Sequence, residues 1–151
     1  MNILFVCTGN TCRSCMAEAI FNKLCDIEGI TSFSAGLCVI PKSKTSVNSV
    51  EVLKNNMKIN ITDRSAVQIT EELIQKSDLI FTMSQSIKSA LLQTFANSKD
   101  KVFSLNEYVG VQGDIVDPYG EDISIYENTF HTMEKLIILL IAKLKGDSSI
   151  I

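Results

Sequence analysis

Near the start of the chain, Asn2-Ile3-Leu4-Phe5-Val6 runs into Cys7-Thr8-Gly9-Asn10-Thr11-Cys12-Arg13-Ser14, and Met16-Ala17-Glu18-Ala19-Ile20-Phe21-Asn22-Lys23-Leu24 follows after one residue. The first segment is a short continuous apolar run, the pattern of a strand buried on both faces. The third places Met16, Ile20 and Leu24 on one face of a helix. The residues from Cys7 to Ser14 therefore form a strand-to-helix loop. In open parallel sheets ligands gather at the carboxyl ends of strands, so this loop is the first place to expect chemistry.

The same alternation continues outward. Strands are predicted over Thr31 to Ala35, Leu79 to Met83 and Lys101 to Leu105, and helices over Ser46 to Asn55, Glu71 to Gln75 and Ser84 to Phe95. Thr70 is the expected N-cap of the Glu71 helix, whose first-turn acids suit the helix dipole. Ser124-Ile125-Tyr126-Glu127 has the capping-box spacing for a last helix, and Lys145-Gly146 offers a basic end and a stop. Strands alternating with helices argue for a three-layer α/β/α domain over residues 1–151, built on a four-stranded parallel sheet. No repeat, low-complexity tract or linker interrupts it.

With 151 residues the chain is long enough to bury a core without staples. Hydrophobic residues at 46% and charged residues at 21% suit a globular protein and exclude disorder. A net charge of −3 and a pI near 5.1 give no reason to expect nucleic acid or an anionic membrane surface as partner. The longest apolar run, Leu136 to Ala142, falls far short of the roughly 20 residues that span a bilayer and is expected to be core. With no leader-like segment before the first strand, the expectation is a cytoplasmic protein, and a monomer. The five cysteines, at 7, 12, 15, 25 and 38, are then expected to be free, catalytic or redox-active. No second Cys-x-x-Cys pair exists and the lone His131 lies far away, so no metal or other cofactor is expected.

The loop suits an oxyanion with three equatorial oxygens. Successive N–H groups of a short strand-to-helix loop can form an anion nest, and the helix N-terminus adds partial positive charge. Gly9 and Asn10 tolerate the unusual backbone angles this needs. Arg13 supplies a planar, bidentate fork for phosphate. The same field favours the thiolate of Cys7, a nucleophile to which Ser14 can donate.

Val6 to Ser14, followed by Met16-Ala17-Glu18, resembles the active-site loop of the low-molecular-weight protein tyrosine phosphatases. The resemblance continues, in order and spacing, at Ser34-Ala35-Gly36, Gln68-Ile69-Thr70 and Asp117-Pro118-Tyr119-Gly120, and covers essentially the whole chain. It implies a cysteine-dependent phosphatase working through a phosphocysteine intermediate on phosphorylated proteins. Cys7 would be the nucleophile, Arg13 the phosphate clamp and Asp117 the general acid on a mobile loop. Thr8, Gly9, Asn10, Thr11, Cys12 and Ser14 would surround the phosphate, with Tyr119 as an aromatic wall. Asn10 and Ser34 would brace the loop, and Cys12 would be able to form a reversible disulfide with Cys7.

Thr11 bears on the subclass. Tyrosine-directed members usually carry a bulky aliphatic residue there, whereas Thr11 is similar to the branch of bacterial protein arginine phosphatases. A small hydroxyl can face a flat cationic leaving group directly or through water. Gly120 after Tyr119 removes the second aromatic of many tyrosine-directed members. Other departures are Cys15 where the family usually has Pro, Leu37-Cys38 where an aromatic commonly lines the pocket, and Arg64-Ser65-Ala66-Val67 in place of a His-containing stretch. His131 is expected on a helix face, and Tyr108 and Tyr126 as core or surface aromatics. The expectation is a phosphoarginine phosphatase, with a tyrosine phosphatase as the alternative. A thiol-linked arsenate reductase needs cysteines further along the chain, and none follows Cys38. A non-catalytic phosphate-binding module would be expected to have lost Cys7 or Asp117.

Overall fold

The computed structural model describes residues 1–150, with side chains for residues 1–146. Four strands, β1 (Asn2–Cys7), β2 (Thr31–Gly36), β3 (Leu79–Thr82) and β4 (Val102–Ser104), form one sheet in the order β2-β1-β3-β4. Every pairing is parallel. Among the described residues the α-helices are α1 (Arg13–Leu24), α2 (Val47–Met57), α3 (Glu71–Lys76), α4 (Gln85–Thr94), α5 (Leu105–Val109) and α6 (Ile123–Ile150). The step from β1 to β2 runs one way along the sheet and that from β3 to β4 the other, so right-handed crossovers place α1 and α4 on opposite faces. This is the three-layer α/β/α arrangement that the alternation of strands and helices predicts.

The central strands are apolar on both sides, and Ile3, Leu4, Phe5 and Val6 are wholly inaccessible. Phe5 lies between Phe21 of α1 and Phe81 of β3, with ring centroids 5.9 and 6.0 Å away. Of the Leu136 to Ala142 run, Leu136, Ile137, Leu140 and Ile141 enter the core while Ile138 and Leu139 face out. Among the described residues, no helix is long and apolar enough to cross a membrane.

Local signals set most helix starts. Ser46, Thr70 and Ser84 accept from the backbone N–H three residues on and cap α2, α3 and α4. Three expectations need correction. The last helix begins at Ile123, with Asp122 rather than Ser124 as its capping acceptor: the carboxylate takes the N–H groups of Ser124 and Ile125 and the Ser124 hydroxyl. A carboxylate outcompetes a hydroxyl for those donors, and the Ser124 bond above all holds Asp122 below the usual carboxylate range. Gly146 does not stop the helix, which continues to Ile150; a lone glycine costs about 1 kcal/mol but ends a helix only where the backbone turns left-handed. Finally, Leu105 belongs to a helix, not to β4. Ser104 and Glu107 form a capping box that starts α5 there.

Candidate active site

Cys7 is the last residue of β1, at the point where neighbouring crossovers diverge. Residues 8–12 form the loop, and α1 begins at Arg13, earlier than the Met16 spacing suggested. Arg13 and Ser14 thus sit in the first helical turn, close beneath Cys7.

Three carbonyls of this segment are held from outside it. Leu37 N–H donates to Cys7 O at 3.0 Å, Cys38 N–H to Thr8 O at 2.9 Å, and Ser46 N–H to Thr11 O at 2.9 Å. This leaves the N–H edge of the loop to face an anion. Asn10 N–H donates to Cys7 Sγ at 3.2 Å, and the Ser14 hydroxyl lies 2.8 Å from the same sulfur. Asn10 is the residue that takes the left-handed backbone, with φ 57°; Gly9 does not. The glycine the loop requires is Gly36. A Cβ there would stand 2.7 Å from Thr8 O and 2.9 Å from the Gly9 carbonyl carbon, so the loop could not lie where it does.

Above the loop opens a pocket of about 530 Å³. Its floor includes Cys7, Thr8, Gly9, Thr11, Cys12 and Arg13, and residues of the 38–46 segment with Asp117 and Tyr119 form the walls. Arg13 is buried, held by donating from Nη1 to Ile115 O at 3.0 Å. Its Nη2 lies 3.5 Å from Asp117 Oδ2. Asp117 is half exposed and is tethered by Tyr119 N–H, which donates to its Oδ1 at 3.1 Å. Ile115 N–H in turn donates to Met83 O, one residue past the end of β3, which anchors this segment beside the sheet.

The structure thus gathers Cys7, Thr8, Gly9, Thr11, Cys12, Arg13, Asp117 and Tyr119 at one pocket. The side chains of Asn10, Ser14 and Ser34 lie behind the loop instead, all buried. There Asn10 Nδ2 donates to Ser14 Oγ at 2.7 Å and to Ser34 Oγ at 3.0 Å. His131 is exposed on α6 beside Glu127 and Glu134, as expected.

Two residues escaped the sequence reading. Arg64 donates to Asn10 Oδ1 at 3.1 Å and to Ser34 Oγ at 2.7 Å, and pairs with Glu18 at 3.3 Å. Tyr126, expected to be an ordinary core or surface aromatic, brings its hydroxyl to 3.2 Å from Cys12 Sγ. Burial first, then Cys12, pushes that phenol up to about 12. The only available signal was Arg64 standing where the family usually has a His-containing stretch. All five cysteines are free. Burial, with Cys7 nearby, raises the Cys15 thiol far above its ordinary range, so it remains a protonated packing group that donates to Cys12 O.

The sequence model for low molecular weight phosphotyrosine protein phosphatase matches residues 2–149. The chain belongs to this family. A protein-arginine-phosphatase from Bacillus subtilis is 40% identical over 151 residues, covering 97% of this chain and 99% of its own. A low molecular weight protein-tyrosine-phosphatase PtpB from Staphylococcus haemolyticus is 38% identical over 148 residues, covering 98% of this chain and all of its own. The solved YwlE arginine phosphatase in C7S mutant form, with phosphorylated active site serine, superposes with a TM-score of 0.90 at 40% identity over 97% of each chain.

Proposed function

We propose that this member of the family is a cysteine-dependent phosphatase that removes phosphate from phosphoarginine in proteins. The observation that carries the reaction is the Cys7 sulfur, with two hydrogen-bond donors at 2.8 and 3.2 Å, at the floor of a pocket that also holds Arg13 and Asp117. The Cys7 thiolate attacks phosphorus and the P–N bond breaks. Arg13 and the loop N–H groups take the charge on the phosphoryl oxygens. Asp117 gives its proton to the departing guanidine nitrogen. Water then attacks the phosphocysteine, with Asp117 now accepting the proton, and phosphate leaves. A relative that carries phosphate on a serine at its active site supports the phosphoenzyme step.

Thr11 supports the choice of substrate. Thr11 lines the pocket, and the polar neighbour of its hydroxyl is the Cys12 thiol at 3.7 Å, a weak partner that leaves the hydroxyl free to meet a guanidinium. An aliphatic side chain there would leave the N–H donors of a buried guanidinium unpaired. That costs about 1–3 kcal/mol, or roughly ten- to a hundredfold in rate. Thr11→Ile is therefore expected to depress kcat/KM on phosphoarginine peptides by that factor while sparing or raising turnover of phosphotyrosine peptides. Equal losses on both would reduce Thr11 to a shaper of the loop and favour the tyrosine reading. Tyr119 and Ile40, largely exposed at the pocket, form an apolar rim that suits a polypeptide on either side of the phosphorylated residue.

Cys12 borders the same pocket as Cys7, which supports a redox brake in a reducing cytoplasm. Peroxide oxidises Cys7 to the sulfenic acid, and the Cys12 thiol displaces water to form the disulfide. Mild peroxide should inactivate the enzyme, a thiol reductant should restore it, and peptide mapping should find Cys7 joined to Cys12. Over-oxidised Cys7 with no such pair would refute the brake.

A further inference from the structure

The side of the loop away from substrate is braced by a network in which the direction of nearly every hydrogen bond is forced. Arg64 has only donors and the Glu18 carboxylate only acceptors. Arg64 Nη1 and the backbone N–H of Val67, at 2.9 Å, both donate to Asn10 Oδ1, which fixes the orientation of the Asn10 amide. Its Nδ2 must then donate to Ser14 and Ser34. Ser34 Oγ, already accepting from Arg64 and Asn10, sends its own hydrogen to Glu18 Oε1 at 2.8 Å. Ser14 Oγ, accepting from Asn10, has its hydrogen left for Cys7 Sγ.

From this geometry we propose that Arg64 is a positioning residue for the nucleophile. Acting through Asn10 and Ser14, it orients the hydroxyl that donates to the Cys7 thiolate and holds Asn10 in its left-handed conformation. The guanidinium lies mostly out of solvent, where its polarisation of the Asn10 amide is little screened. The chain Arg64, Asn10, Ser14, Cys7 then strengthens bond by bond toward the sulfur. Other charged or titratable groups face the loop from elsewhere: Arg13 and Asp117 from the pocket, Cys12 and Tyr126 on the α6 side, and Cys15 in α1. None of them takes the place of Arg64 on Asn10.

The kinetic part of the test rests on the phosphatase reading; the chemical part does not. Arg64→Ala, Arg64→Gln and Arg64→Lys are compared with wild type by the rate at which iodoacetamide alkylates Cys7 at neutral pH. Mass spectrometry of the Cys7 peptide gives that rate, and kcat and KM for phosphate release are measured alongside. Loss of one charge-assisted bond predicts about tenfold slower alkylation and about tenfold lower kcat in Arg64→Ala, with KM little changed. Arg64→Lys, which keeps the charge, should recover part of both, and Arg64→Gln, which keeps an amide donor without charge, should not. Wild-type alkylation and kcat in Arg64→Ala would overturn the proposal. Should Arg64→Ala not fold, the other pair decides: Lys above Gln supports it, and Gln equal to or above Lys overturns it. If alkylating Cys7 in the wild type leaves phosphate release intact, the assignment of the nucleophile fails, while the alkylation comparison still judges Arg64.

Discussion

Cys7→Ser should release no phosphate above background from any phosphorylated peptide while folding and melting as the wild type does. The reason lies in the loop rather than in the residue alone. An alcohol in place of the thiol keeps the partner at Ser14 Oγ and the N–H of Asn10. An alcohol oxygen, however, is a far weaker nucleophile and a poorer leaving group than the sulfur it replaces. Because Cys7 is 3% exposed and packed at the end of β1, the smaller oxygen leaves little cavity and stability should barely move. Substrate binding should survive, since Arg13 and the loop N–H groups remain. Retained turnover would remove Cys7 from the chemistry altogether.

Asp117→Asn should lower kcat by about 10²–10⁴ on phosphoarginine or phosphotyrosine peptides, the usual worth of a positioned general acid. The loss should shrink for activated aryl phosphates, whose leaving groups need no proton, because the acid acts only in the transition state. The amide can still accept from Tyr119 N–H, so the 117–119 turn should keep its shape. The 3.5 Å ion pair with Arg13 would go, but on a half-exposed carboxylate it contributes little to stability. The signature is therefore a fall in kcat graded by leaving group, with Tm unchanged. A uniform loss across leaving groups would mean that Asp117 orients Arg13 and moves no proton.

What the sequence made legible divides along physical lines. The loop could be read because the strand, the Gly9-Asn10 turn, Cys7 and Arg13 are contiguous between Asn2 and Ser14, and short-range patterns express them directly. The same holds for Ser46, Thr70 and Ser84, whose capping partners lie three residues on. Competition between signals decided the misplaced boundaries. Asp122 displaced Ser124 as cap, and the capping box of Ser104 and Glu107 ended β4 a residue early. Arg64 and Tyr126 were illegible for another reason: each meets the loop only after the fold closes, across 54 residues to Asn10 and 114 to Cys12. Gly36 was read as part of a motif, yet its need is steric and comes from Thr8 and Gly9 lying across it. Local chemistry names the reacting groups, and long-range packing names what holds them.

The substrate is the central claim, and one comparison bears on it most directly: kcat/KM of the wild-type enzyme on two peptides of identical flanking sequence, one carrying phosphoarginine and the other phosphotyrosine. If the Thr11 that lines the pocket meets the leaving group as proposed, the phosphoarginine peptide should be favoured by roughly tenfold or more, the equivalent of a single satisfied polar contact. Equal values, or a preference for phosphotyrosine, would contradict the account and make this a tyrosine-directed member of the family.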